Sequence, residues 1–321
     1  MSNWLKVLPW FISIILILIL PFMLQQSGYF LSLFITILTF VVTANALNLL
    51  LGYGGQMSVG HAGFLTVGAY VVAIFVNQFP NIPFFLSLLL SGLLTAVIGL
   101  IIGLPAVRLR GHFLAVATLG FGLSIPEIVL HWEKLTGGYT GLLVSRPTWL
   151  DNNLLFFYVL AFICIACVWL MKNIVSSRIG RAFIAVRDSE VAAQANGVNL
   201  ASYKTIMFTI SAFFTGIAGG VNSYWVGFVS PGDYSIITSF LLLAMIVVGG
   251  LGNIAGATIG AIIFTILPHF SDAYIGITNI VIGVTVVFVM MFYPKGIVSM
   301  LRKPNGSVRQ NMISELKKGA V

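Results

Sequence analysis

Cys164 and Cys167 stand in the C-x-x-C spacing that a redox pair uses. A working pair needs an exposed thiolate in a βαβ setting. These two sit inside the apolar run Phe162–Trp169 and read as small apolar side chains of a helix in lipid. The histidines His61, His112, His131 and His269 are scattered, and none matches a metal-ligand spacing. Glu127 follows Pro126 near the end of its apolar run, and no carboxylate stands mid-run, where an ion-coupled carrier places one. The phosphate-loop pattern G-x-x-x-x-G-K-[ST] does not occur. The expectation is a chain that is not an enzyme and binds no metal or cofactor. Any ATP that drives it is hydrolysed by another polypeptide.

The elements that carry these residues are apolar. Of 321 residues, 59% are apolar and only 7% charged, against roughly 25% charged in a soluble domain. Mean hydropathy is +1.05. Runs of about twenty apolar residues read as membrane-spanning helices, and their lack of alternation excludes a transmembrane β-barrel. The expected spans are 7–24, 30–51, 58–78, 83–104, 112–131, 154–171, 205–226 and 274–292. The first run has no small-residue cleavage site and is kept as a span. The fold class is therefore an all-α polytopic membrane protein of about eight crossings, and the net charge of +8 records topology rather than nucleic-acid binding.

Charge sets the orientation. With the 172–204 loop placed in the cytoplasm, fourteen of the sixteen basic residues fall inside and only Lys134 and Arg146 outside. Both termini are then cytoplasmic. Residues 1–298 form the membrane domain, with a loop at 176–200, and 299–321 form a basic cytoplasmic tail. Parity requires 240–267 to enter and leave on the outer side. Its two arms, parted by Gly249, Gly250, Gly252 and Asn253, are each too short to cross, so a re-entrant or broken-helix hairpin is expected. A similar glycine-rich break spans Gly52–Gly63, and two such breaks are compatible with an internal repeat of the kind found in transporters.

Asn45, Asn48, Gln56, Ser58 and His61, with Gly249, Gly250 and Asn253, are the residues expected to line or brace a translocation pathway. Bracing is a real alternative, because Asn, Ser and Gln join membrane helices at about 0.6–2 kcal/mol per contact. The 176–197 loop reads as two short helices. One lies around 180–187, and one is capped by Asp188 or Ser189 and closes at Asn196-Gly197. Arg181, Arg187 and Glu190 belong to it, and Ala192, Ala193 and Gly197 are expected to share a small surface for a close-fitting partner. A plain solvated loop is the alternative.

Four segments carry a resemblance. They are Ala46–Gly63, Leu135-Thr-Gly-Gly-Tyr-Thr-Gly141, Ser177-Arg-Ile-Gly-Arg-Ala182 with Arg187-Asp-Ser-Glu-Val-Ala-Ala193, and Val248-Gly-Gly-Leu-Gly-Asn253. In this order the chain resembles, from about residue 40 to 298, the permease subunits of branched-chain amino acid ABC importers. It is similar to the LivM type rather than the LivH type, within a family shared with urea and short-chain amide importers. The resemblance implies a bacterial inner-membrane machine with a paralogous LivH-type permease, two cytoplasmic ATPases and an external solute-binding protein. It also implies that 178–197 is the ATPase-coupling loop, although Val191 stands where a Glu is often found. A self-sufficient channel for a small neutral solute is the reading from another class.

Overall fold

The computed structural model describes residues 28–271 apart from 108 and 110, together with 283–285, 287, 288, 291, 296 and 297. The expected span 7–24, most of 274–292 and the tail 299–321 lie outside the described residues.

Six helices among the described residues, 18 to 27 residues long, are long and apolar enough to cross a membrane. They begin with α1 (Gly28–Asn48), which runs on into a π-helical turn, Leu49–Tyr53. Next come α2 (His61–Gln78), α3 (Phe84–Ala106), α4 (His112–His131) and α5 (Asn153–Ser176). Two short helices follow, α6 (Arg178–Asp188) and α7 (Glu190–Ala195), before the long α8 (Leu200–Val226). The described part closes with α9 (Ile236–Gly249) and α10 (Ile254–Ser271).

Side-chain caps explain where the chain breaks after α5. Ser177 Oγ accepts from the Ile179 and Gly180 amides, Ser189 Oγ from Ala192, and Asn199 Oδ1 from Ser202. Each cap satisfies amides that a helix start leaves without partners. Two helices in the loop were expected, and Ser189 rather than Asp188 caps the second. The cap at Asn199 starts α8 five residues before the expected 205. Helix α2 starts three residues later than expected, because Gln56–Gly60 is non-helical.

The core is built around α8, which packs on α1, α2 and α3. Where α8 crosses α2, Gly68 lies against the backbone of Gly216, and Gly219 against Leu65 and Ala69. Ser91 of α3 reaches into this crossing, its hydroxyl 2.9 Å from the Gly68 carbonyl and 2.7 Å from that of Gly216. Small residues permit such approach in a membrane bundle, where packing rather than the hydrophobic effect joins helices. By contrast α4 leaves Phe113, Val116, Leu123 and Ile128 exposed, as lipid-facing side chains would be.

One departure from an all-helical chain is a two-residue antiparallel ladder, β1 (Leu142–Leu143) with β2 (Phe228–Val229). It lies at the end of the bundle away from α6 and α7. Arg146 staples that end. Its guanidinium donates to Asn153 Oδ1 and to the Trp225 carbonyl, and stacks over the rings of Phe156 and Trp225.

At the expected break, α9 and α10 form a helix–turn–helix with wider bounds than 240–267. At 1.5 Å per residue the 14 residues of α9 span roughly 21 Å, short of a hydrocarbon core of about 30 Å, whereas α10 has 18 residues, as many as α2.

Candidate functional site

Helix α2 starts inside the bundle, so its first amides need partners from elsewhere. Thr118 Oγ1 of α4 accepts from the Val59 amide, and Ser239 Oγ of α9 accepts from Ala62, each at 3.0 Å. His61, fully buried, is held on both sides, with Nδ1 3.0 Å from Ser58 Oγ and Nε2 2.7 Å from Ser211 Oγ. Ser211 spends its one proton on the Ala46 carbonyl, 2.7 Å away. His61 Nε2 must therefore be the donor, and Nδ1 accepts from Ser58. The ring thus joins the break before α2 to α8, and Ser211 carries the link on to α1.

Asn48 makes the second brace. Its Oδ1 accepts from the Gly252 amide at 2.9 Å, and its Nδ2 donates to the Asn253 carbonyl at 3.2 Å. One side-chain amide thereby clamps the turn between α9 and α10 onto the end of α1. Asn45 supports this one turn away, donating to Thr258 Oγ1 and to the Val41 carbonyl. Gln56 Nε2 lies 3.4 Å from Met207 Sδ. Among the described residues the buried carbonyl oxygens Asn45 Oδ1 and Gln56 Oε1 have no hydrogen-bond partner. They are spare acceptors beside the two breaks.

The two glycine breaks, some two hundred residues apart, therefore touch. Gly52 lies against the Gly252 amide, and a side chain at Gly52 would collide with both it and Asn48. In the second break Gly249 is buried against the backbone of Gly256, and Gly250 is buried at φ +124°, ψ +113°. Only glycine adopts that backbone conformation without strain. Contact and conformation both demand glycine there.

Helices α6 and α7 dock beneath this junction. Helix α6 buries Gly180, Phe183 and Val186, one face at a spacing of three. Arg181 lies on the outer side of α6, with Nη1 3.4 Å from the Ser176 carbonyl. Arg187 turns inward, and its Nη1 donates to the Gly52 carbonyl at 2.9 Å. Ala192 and Gly197 are exposed, whereas Ala193 is 4% exposed and packs with Phe183, Met207 and Phe208. The three small residues do not share one surface, because the helical turn points Ala193 at the bundle.

Lys204 and Glu190 tie α7 to α8. Lys204 Nζ is 2.6 Å from Glu190 Oε1, the lysine side chain only 5% exposed and the glutamate 32%. Removing one partner of a buried pair leaves a charge without compensation, at about 3–5 kcal/mol. Water at Glu190 reduces that here. Glu190→Ala is expected to lower the thermal midpoint of the detergent-solubilised chain, and Glu190→Ala with Lys204→Met to recover most of the loss. A double variant no better than the single one would show that the pair contributes through packing alone.

Among the described residues no three His, Cys, Asp or Glu side chains gather as metal ligands. Apart from the Arg187 guanidinium, what the site offers is neutral: hydroxyls, amides and backbone at two helix breaks, joined to an exposed helix pair. Ser211, Ser239, Thr118 and Thr258, which complete it, carry no spacing signal that sets them apart from other helical hydroxyls.

Comparison with known proteins gives this arrangement a setting. Residues 29–292 match the family model described as branched-chain amino acid transport system / permease component. The high-affinity branched-chain amino acid transport system permease protein LivM of Salmonella typhimurium is 27% identical over 310 residues, 88% of this chain and 72% of that protein. LivM of Escherichia coli is 28% identical over 291 residues, 82% of this chain and 68% of the relative. A Methanocaldococcus jannaschii protein named as a probable branched-chain amino acid transport permease LivH is 26% identical over 225 residues, 66% and 70% of the two chains. No solved structure matches at a significant level. The family match takes in both breaks, the α6–α7 pair and every helix described, so the chain is a multi-pass membrane protein that belongs to the branched-chain amino acid transport permease family.

Proposed function

We propose that this chain forms half of the translocation path of an ATP-driven importer of branched-chain amino acids. The observation that carries the reading is the α6–α7 pair, exposed at one end of the bundle and bonded on its inner side to the first glycine break and to α8, in a chain of the permease family. The partners are a LivH-type sister permease, two cytoplasmic ATPases that hydrolyse the ATP, and an external solute-binding protein. The chain itself binds no cofactor and does no catalysis. It lies in the bacterial inner membrane with both termini cytoplasmic, so α6 and α7 face the cytoplasm and the β1–β2 end faces outward.

Specificity resides chiefly in the binding protein. The braced polar residues leave few free groups, and the two spare acceptors, Asn45 Oδ1 and Gln56 Oε1, are buried. In proteoliposomes holding both permeases and both ATPases, labelled leucine, isoleucine or valine should accumulate only with ATP and the binding protein. Cysteines introduced near 145 and 230 should label from outside, and one near 185 only from inside. ATP-independent uptake of urea or an amide by this chain alone would favour a self-sufficient channel and overturn the importer reading.

A further inference from the structure

Arg187 occupies a position that a surface loop does not require. It stands at the last turn of α6, yet its side chain runs inward over Gly55, whose absent Cβ would lie 2.9 Å from Arg187 Cγ. Its guanidinium has two engagements. Nη1 donates to the Gly52 carbonyl at 2.9 Å, and Nε and Nη2 both donate to Asp188 Oδ1 at 3.0 and 2.9 Å. Both bonds to Asp188 go to one oxygen of the neighbouring residue, in a pair 38% and 62% exposed, so Asp188 orients the guanidinium while the Gly52 carbonyl anchors it. The guanidinium also lies against the second break, where a Cβ on Gly252 would meet Arg187 Nη1 at 3.1 Å. Gly52 and Gly252 are themselves in contact, and Asn48 clamps them together. One side chain from the α6–α7 pair thus bears on both breaks at the point where they meet.

We propose that Arg187 is a positioning residue, a strut that holds the two breaks in register with α6 and α7. A displacement of the helix pair then reaches both breaks together. This rests on the reading of α6–α7 as the coupling element and adds the route by which its movement enters the bundle. Backbone at the breaks lacks the full helical ladder, so the few bonds that hold it set its position. Asp188 orients the fork, and glycine at 52, 55 and 252 gives it room. A lysine can reach the carbonyl but cannot hold both partners in one plane.

Spatial intermediacy alone does not show coupling, so the test reads the breaks directly. Hydrogen exchange of the full chain in detergent should show protection falling at least tenfold at 52–60 and at 249–253 in Arg187→Ala. Arg187→Lys should give a smaller fall, and the centre of α8 (208–220) should be unchanged. A response at the first break only, or at neither, overturns the strut. Should Arg187→Ala lose protection throughout α8, Asp188→Ala takes its place. It releases the fork without removing the guanidinium, and threefold faster exchange at both breaks is expected, with no change overturning the idea. In the assembled transporter, the variant that loosens both breaks should also lower uptake at least tenfold per complex. Wild-type uptake with loosened breaks would overturn transmission through Arg187. Absence of ATP-driven uptake in the unsubstituted complex would instead overturn the importer reading, and the exchange result would still decide the contact.

Discussion

Gly68→Leu is expected to prevent assembly of the bundle. At this point of α2 a Cβ would lie 2.6 Å from Gly216 Cα, and closer still to the Gly216 carbonyl oxygen. The neighbour is backbone in the middle of a 27-residue helix, which cannot rotate aside as a side chain can. Ordinary overpacking costs about 1–3 kcal/mol. A leucine here would force α2 and α8 apart and separate the Ser91 hydroxyl from the two carbonyls between which it shares its one proton, a bond contributing about 0.6 kcal/mol in a membrane. The loss would also spread to α3, since Ser91 belongs to it. Gly68→Leu should therefore give no monodisperse species on size-exclusion chromatography in detergent, and Gly68→Ala a folded chain with a lowered thermal midpoint. Gly120→Leu is the control, because Gly120 of α4 is exposed with nothing within 4 Å of its missing Cβ. A Gly68→Leu chain that elutes and melts like the unsubstituted one would show that α2 and α8 do not cross at these glycines.

The contrast between Gly68 and Gly120 also marks how far the sequence is legible. Both sit in apolar runs rich in small residues, and nothing in local composition says that one faces a helix and the other the outside. Apolar runs place the spans, because a helix must satisfy its backbone before it enters lipid. Caps place α7, because Ser189 and Gly197 act within one turn of their own positions. The site is different in kind. Asn48 meets Gly252 and Asn253, and His61 meets Ser211, across separations of 150 residues or more. Such pairings depend on helix rotation, which runs that are apolar all round do not encode. Lys204 shows the same limit. Charge counting treats it as one more cytoplasmic base, yet in the fold it is buried with Glu190.

On the importer reading proposed above, Gly197→Glu should break the proposed contact with an ATPase while leaving the chain inserted. Gly197 is exposed at φ +82° just past α7, with nothing within 4 Å of a Cβ position. No neighbour among the described residues asks for glycine; the conformation does, and so would a surface that approaches closely. The two demands can be separated. A left-handed backbone costs an ordinary L residue about 1–2 kcal/mol, whereas Asn tolerates it with a short side chain. Gly197→Asn keeps the turn and adds little bulk, so it should retain most subunit association. Glutamate adds bulk and a charge without a partner in a buried contact, a penalty of about 3–5 kcal/mol, which is more than a hundredfold in affinity. Insertion is decided by the apolar spans and should not change. The measurement is the ATPase content of purified complex and its solute-stimulated hydrolysis for both variants. If Gly197→Glu keeps full subunit content and stimulation, the α6–α7 pair is only a solvated connector. Equal loss in Gly197→Asn and Gly197→Glu would instead assign the effect to the turn rather than to the contact. A selective loss in the glutamate variant is what a close ATPase interface at Ala192 and Gly197 requires.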